Sequence, residues 1–371
     1  MKTGLAAAPV ESVEVSAYRI PTDFPEADGT FSWDATTLVL VELSAGSARG
    51  LGFSYTDVSA ATFISSVLVP ELKGQDAFAI PQTLAKLLRA VRNLGRPGVA
   101  ACALSAVDIA LWDLKAKLLG LPLFRLLGPA RTEVPLYGSG GFTSYPVERL
   151  QAQLGGWTEQ GFRRVKMKVG QDPEQDPARV RAARQAIGEG CELFVDGNGA
   201  YRRKQALALA ERFAEARVTW FEEPVSSDDL AGLRLLRDRA PAGMSIAAGE
   251  YGHDTAYFQR MLAAGAVDVL QADATRCLGI SGFLRTAALA EAFETPLSAH
   301  TAPSVHLHAA CAAPGAFLHL EYFHDHARLE RLLFDGVVQP VEGRLVPDPD
   351  RPGLGIELKR ADAERFRIER T

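Results

Sequence analysis

Cysteine is scarce and scattered: Cys102, Cys191, Cys277 and Cys311 are the only four in 371 residues, and no two form a CxxC pair. A disulfide framework or a cysteine zinc site is therefore excluded as the organising principle, which leaves four small buried residues. Basic residues are in no excess either, since the formal net charge is −5. A chain of that balance has no counterion-releasing surface for nucleic acid. No uninterrupted apolar run reaches the ~18–20 residues of a membrane span. The stretch Leu5–Val10 falls short of the ~7–15-residue core of a signal peptide and is closed by Glu11. What remains is the composition expected of a soluble, cytoplasmic globular protein, 47% hydrophobic and 23% charged. Lysine is a further scarcity. Only 9 of the 40 basic residues are Lys, so a lysine in an unusual place carries information that an arginine would not.

The length suits a barrel-sized domain with a smaller partner. Before Pro129 the chain reads as strands followed by helices. Val10–Arg19 and the β-branched run Thr36–Leu43 are strand-like, and the breaker-rich, acidic stretch from Pro21 to Thr30 between them reads as a loop. Gly50-Leu51-Gly52-Phe53 reads as a second flexible stretch. Thr62–Leu68, Pro81–Leu94 and Val99–Leu119 are helical, the last with an apolar stripe through Leu104, Val107, Leu111, Leu114 and Leu118. Gly128-Pro129 marks a boundary.

After Pro129 short apolar runs alternate with amphipathic ones. Eight strand-like pieces begin at Val134, Arg164, Glu192, Val218, Ser245, Val267, Pro296 and Ala316. Eight strands alternating with helices predict a parallel βα barrel. A doubly wound open sheet would alternate similarly, but no GxGxxG turn follows an early strand.

The polar residues at the strand ends carry the chemistry. Lys166 and Lys168 lie on the second piece, and the following pieces end in Asp196, Glu222, Glu250, Asp273, His300 and Glu321, at spacings of 21 to 28 residues. One ionisable residue per βα unit, always after the apolar run, lands on the C-terminal rim where barrel active sites are built. Asp196, Glu222 and Glu250 are hard oxygen donors on three successive strands, a set that suits Mg²⁺, with Mn²⁺ as the alternative, over zinc. Lys166 and Lys168, two apart, share one face of a strand, and like-charge repulsion there favours a neutral amine able to act as a base. Asp273 and His300 end neighbouring strands, so a carboxylate can fix the imidazole tautomer. Asn198, two residues beyond Asp196, is placed to meet substrate if the backbone stays extended. His253 is a candidate for the rim, whereas His306, His308, His319, His324 and His326 read as structural or surface residues.

These motifs, Lys166-Met167-Lys168, Asp196-Gly197-Asn198, Glu222-Glu223-Pro224, Ala248-Gly249-Glu250, Asp273, His300 and Glu321, together with the helical Ser105–Asp113, resemble the enolase superfamily, mandelate racemase subgroup. The resemblance spans essentially the whole chain. One departure stands at Asp273-Ala274-Thr275-Arg276-Cys277-Leu278-Gly279, where the family usually carries Lys and a Gly-Gly pair; the substrate contact near Arg276 rests on that departure. The resemblance implies an α/β fold, a (β/α)7β modified TIM barrel over residues 130–340. An α+β N-terminal capping domain over 1–129 is completed by the C-terminal segment 341–371. It implies lid loops at 20–33 and 50–57, carrying Asp23 and Tyr55 toward substrate. Glu222 rather than Glu223 would hold the metal, Lys168 would be the base with Lys166 tuning it, and His300 the acid or base on the other face. Glu321 would donate a hydrogen bond if protonated. The implied reaction is removal of a proton α to a carboxylate in a small-molecule acid by a homo-oligomer. Acidic lid residues Asp23, Glu26 and Asp28 favour dehydration of a sugar acid to a 2-keto-3-deoxy acid; Phe24, Phe31 and Trp33 point away from it. Racemisation, epimerisation or cycloisomerisation is the alternative, and a non-catalytic metal- or sugar-acid-binding barrel the third.

Overall fold

The computed structural model describes residues 7–368, so the beginning of the Leu5–Val10 stretch and the last three residues lie outside it. The N-terminal segment opens with a three-stranded antiparallel sheet of β1 (Ser12–Ala27), β2 (Ser32–Ala45) and β3 (Ala48–Tyr55). Five helices follow: α1 (Ser59–Phe63), which runs through a π-turn into α2 (Val69–Leu72), then α3 (Ile80–Ala90), α4 (Val99–Leu118) and α5 (Leu123–Leu127).

Two sequence expectations are corrected here. Most of the stretch from Pro21 to Thr30 is strand, and only residues 28–30 turn. It continues β1 as far as Ala27, so β1 and β2 form one long hairpin whose register shifts between Pro21 and Glu26. Proline and acids are tolerated because this end of the hairpin projects beyond the three-stranded part of the sheet, where the outer edge needs no amide donors. Nor is Gly50–Phe53 flexible. It is the buried middle of β3, and its glycines exist for close packing: a Cβ on Gly52 would come within 2.3 Å of the Ala106 carbonyl oxygen and the Ala110 nitrogen of α4.

The barrel strands are β4 (Val134–Gly140), β5 (Arg164–Lys168), β6 (Glu192–Asp196), β7 (Val218–Glu222), β8 (Ser245–Ala248), β9 (Val269–Ala272), β10 (Leu297–Ala299) and β11 (Phe317–Phe323). They run in sequence order, all parallel, and β11 closes on β4. The alternating helices are α6 (Val147–Glu159), α7 (Asp176–Ile187), α8 (Arg203–Ala214), α9 (Leu230–Arg239), α10 (Thr255–Ala263), α11 (Gly279–Ala292) and α12 (Pro303–Ala312); α13 (His324–Leu333) follows the last strand. Seven helices between eight strands give the (β/α)7β barrel. Period-two alternation sends Val165, Met167, Val195 and Phe221 outward to the helices. Their neighbours point inward, where Tyr137, Phe194, Trp220, Ala247 and Val269 fill one core layer.

The tail returns to both parts. β12 (Phe334–Asp335) pairs with β14 (Glu357–Leu358), and β13 (Arg344–Leu345) pairs with β4. After α14 (Arg360–Glu364), the Arg19 amide donates to the Phe366 carbonyl and the Ile368 amide to the Ala17 carbonyl. Helix α4 rivets the capping segment to the barrel: Asp108 accepts from the Ser281 amide of α11, Ser105 from the Leu278 amide, and Trp112 donates to the Ser281 hydroxyl. Among the described residues no helix is long and apolar enough to cross a membrane.

Candidate active site

Strand register assembles the rim. Lys168 pairs with Asp196 and Asp196 with Glu222, so base, acid and acid occupy one rung across β5, β6 and β7. Ligand atoms of Asp196, Glu222 and Glu250 all lie within 4.8 Å of one another, and all three residues are buried. Lys166, fully buried, donates to Glu222 at 2.6 Å and reaches Glu321 at 2.9 Å and Asp196 at 3.3 Å. Lys168 Nζ is 2.5 Å from Asp196 Oδ2. On the other side His300 Nδ1 donates to Asp273 Oδ2 at 2.8 Å, and its Nε2 lies 3.2 Å from Glu250 and 3.6 Å from Glu321. The aromatic layer below closes the underside of the site, with the Trp220 indole donating to Glu222 at 3.0 Å.

The lysine expectation is reversed. Burial disfavours both ammonium groups, but the carboxylates outweigh burial and mutual repulsion: Glu222, Glu321 and Asp196 hold Lys166 well above the ordinary lysine value, and Asp196 does the same for Lys168. Burial likewise opposes a charged His300, yet Glu250, Glu321 and the Asp273 hydrogen bond push it up to about 10. Glu321 stays ionised, because Lys166 and His300 outweigh its burial and draw its carboxyl down. It accepts from Ser139 rather than donating. Glu222 is pushed up to about 8 by burial and then by Asp196.

The donor set fits a dication. Six buried carboxylates, those of Asp196, Glu222, Glu223, Glu250, Asp273 and Glu321, face Lys166, Lys168, Arg276 and one imidazole. Both oxygens of Glu223 are buried without a hydrogen-bond partner, and Glu250 Oε2 has only the His300 imidazole at 3.2 Å. Such a surplus of buried negative charge calls for a cation with hard-oxygen preference.

Of the substrate contacts expected from sequence, Arg276 joins the cluster, bridging Glu250 (3.4 Å) and Asp273 (3.6 Å). Asn198 is reached differently than expected. The backbone does not stay extended but turns, with φ of 44° between two glycines. Its Oδ1 is nevertheless buried without a protein partner. Asp23 pairs instead with His324 at 3.1 Å and with Arg149 at 3.6 Å. Tyr55 is buried, stacked on His326 with ring centroids 3.4 Å apart, its hydroxyl 3.4 Å from Glu330. His253 lies beside Asp254 and Tyr257 and lines a cavity of about 730 Å³ with Tyr251 and Arg276. His306 accepts from the Ala274 amide, and His308 accepts from Phe124.

Sequence reading missed the groups that hold the dyad. Thr275 donates through its amide and hydroxyl, each at 2.7 Å, to Asp273 Oδ1, leaving Oδ2 for His300. The Ser54 hydroxyl of β3 donates to the Thr275 carbonyl at 2.8 Å. The Asp-x-Thr spacing was a usable signal for the first; nothing local marks Ser54. Leu278, at the departure from the family pattern, occupies the left-handed region with φ of 72°, where glycine is the easy choice. Ser105 and Asp108 meet this segment from α4.

A closed eight-stranded barrel with carboxylates, two lysines and an Asp–His pair on its C-terminal rim, under an α+β cap, defines a family of acid-processing enzymes. The chain belongs to the enolase superfamily: residues 149–363 match the enolase C-terminal domain-like family, and residues 12–128 the mandelate racemase / muconate lactonizing enzyme N-terminal domain. It is similar to a mandelate racemase/muconate lactonizing enzyme-like protein from Rubrobacter xylanophilus, at 59% identity and a TM-score of 0.95, covering 97% of this chain and 100% of that one. The L-talarate/galactarate dehydratase of Salmonella typhimurium is 33% identical over 94% of this chain and 89% of its own. Its crystal structure liganded with Mg and L-lyxarohydroxamate superposes with a TM-score of 0.90, covering 100% of this chain and 95% of that one. The 3,6-anhydro-alpha-L-galactonate cycloisomerase of Streptomyces coelicolor is 34% identical over 96% of this chain and 98% of its own.

Proposed function

We propose that this protein is a Mg²⁺-dependent hydro-lyase that dehydrates a sugar acid, an aldonate or aldarate, to a 2-keto-3-deoxy acid. The observation that carries it is the placement of two separate proton-handling groups, Lys168 on β5 and the Asp273–His300 pair, against one carboxylate triad. Asp196, Glu222 and Glu250 would hold the cation, which when bound supplies positive charge for the substrate carboxylate and for its enediolate form. Lys168, once it has given up its proton, removes the α-proton, with Lys166 setting its charge balance. His300, held as imidazolium by its acidic neighbours, gives a proton to the departing β-hydroxyl, which leaves as water. Tautomerisation of the resulting enol yields the keto acid. Ionised Glu321, fixed by Ser139 and Lys166, supports the imidazolium form of His300, while Asn198 and Arg276 are placed to contact substrate.

Dehydratase names among the relatives support this reading, and the cycloisomerase relative supports the runner-up, in which the same enediolate is reprotonated or closed into a ring. Incubation with an acid-sugar library and Mg²⁺ tests both. Formation of 2-keto acid means dehydration, and deuterium exchange at Cα without keto acid means racemisation, epimerisation or cyclisation. Silence in both assays with every acid leaves only a binding protein.

A further inference from the structure

Away from the catalytic cluster, three ligand-type side chains converge where the hairpin meets the barrel. Asp23 and Glu26 come from β1, and His324 opens α13 just beyond β11. One ligand atom of each lies within 4.8 Å of the other two. Glu26 distinguishes this group from an ordinary acidic patch. Its side chain is buried, with the residue only 1% exposed; Oε2 accepts from the Trp33 indole at 2.8 Å, and Oε1 is buried with no hydrogen-bond partner. Of the two neighbouring cations, Arg328 is committed to Asp325, and Arg149 meets the group only at Asp23. Arg328 forks onto Asp325 and reaches the Pro21 carbonyl, while Arg149 lies against the Phe24 and Tyr145 rings and 3.6 Å from Asp23.

We propose that Asp23, Glu26 and His324 form a second divalent-cation site, distinct from the catalytic triad, that clips the hairpin to the barrel. Two carboxylates and one imidazole suit Zn²⁺, whereas the all-carboxylate triad suits Mg²⁺, so one chain sorts two metals by donor type. The clip joins a segment of the capping sheet to the end of the last barrel strand, and a cation there binds the docked hairpin and not the lifted one.

The test is metal content. Protein equilibrated with excess Mg²⁺ and one equivalent of Zn²⁺, then gel-filtered in Mg²⁺ buffer, should retain about one Zn per chain by elemental analysis. Glu26→Gln keeps the shape and the Trp33 hydrogen bond, and His324→Ala alters a partly exposed side chain; each should lower retained Zn at least about tenfold. The two variants are independent, so misfolding of one leaves the other as the test. Absence of retained Zn in the unsubstituted protein overturns the proposal. Zn retained undiminished in both variants also overturns it, because the metal is then held outside this group.

Discussion

Gly29 at the hairpin tip offers a test of whether the hairpin closes over the site. A Cβ there would stand 2.6 Å from the Val169 carbonyl oxygen, 2.8 Å from that of Gly197 and 2.9 Å from Ala200 Cβ. Those atoms lie just beyond the ends of β5 and β6, beside Lys168 and Asp196. Two of the three contacts are backbone, which cannot turn aside as a side chain can. Gly29 is outside the positive-φ set, so alanine brings no conformational strain of its own and the whole cost falls on the docked contact. Overpacking of this kind costs ~1–3 kcal/mol, and a shift of that size lowers the docked-to-lifted ratio about 5–150-fold. With the mouth left open, kcat/KM of Gly29→Ala on the acid identified by library screening should fall, by at most that factor. The thermal midpoint should move by less than about 2 °C, because the tip lifts without unfolding anything and alanine slightly restrains the unfolded chain. Steady-state kinetics and a thermal scan on the same preparation decide the matter. A midpoint several degrees lower with kcat/KM unchanged makes the hairpin a structural brace, and no change in either refutes the tight contact itself.

Three further outcomes follow from the site and its supports. EDTA should abolish turnover and Mg²⁺ alone restore it; full activity in metal-free protein, verified by elemental analysis, defeats the triad assignment. In D₂O, α-proton exchange should survive in His300→Asn, which stops dehydration, and disappear in Lys168→Ala; the opposite pattern makes His300 the base. Asp108 of α4, fully buried against the start of α11, is raised from 3.8 to about 7 by burial. A carboxyl raised in the folded state contributes stability that is complete below its unfolded value and lost as pH climbs through the folded one. Up to about 4 kcal/mol should thus disappear between pH ~4 and ~7. Urea midpoints of Asp108→Asn should gain on the unsubstituted protein across that window, and parallel curves would show an ordinary carboxyl.

The barrel and its rim were legible because both rest on strict periodicities. Apolar runs of strand length, each ended by one ionisable residue, encode β5 to β11 locally, and the inward parity of Lys166, Lys168, Asp196 and Glu222 follows from the period of two. The hairpin was misread because Pro21, Pro25 and the acids around them are breakers only where a strand must be paired and buried on both sides. Gly50 and Gly52 were misread for a related reason. In sequence a glycine signals freedom, whereas here it answers to α4, sixty residues away, whose backbone presses where a side chain would stand. The lysine charge state was beyond sequence: Lys166 and Lys168 repel each other as expected, but their carboxylate neighbours on β6, β7 and β11 become visible only once the barrel closes.

The interrupted register of the hairpin has a consequence for how such a protein changes. β1 and β2 stay in step from Ser12 to Pro21 and resume pairing only at Glu26. Residues in the interval can be added, removed or exchanged without sliding any pair in the sheet beneath. That sheet contributes β3, whose Ser54 steadies the loop bearing Asp273. The tip proposed to select the acid is thus mechanically insulated from the residues proposed to move protons. A lineage selected for an unfamiliar acid should collect its early substitutions between Pro21 and Glu26 at positions other than Asp23, while Ser54, Thr275 and Asp108 stay as they are.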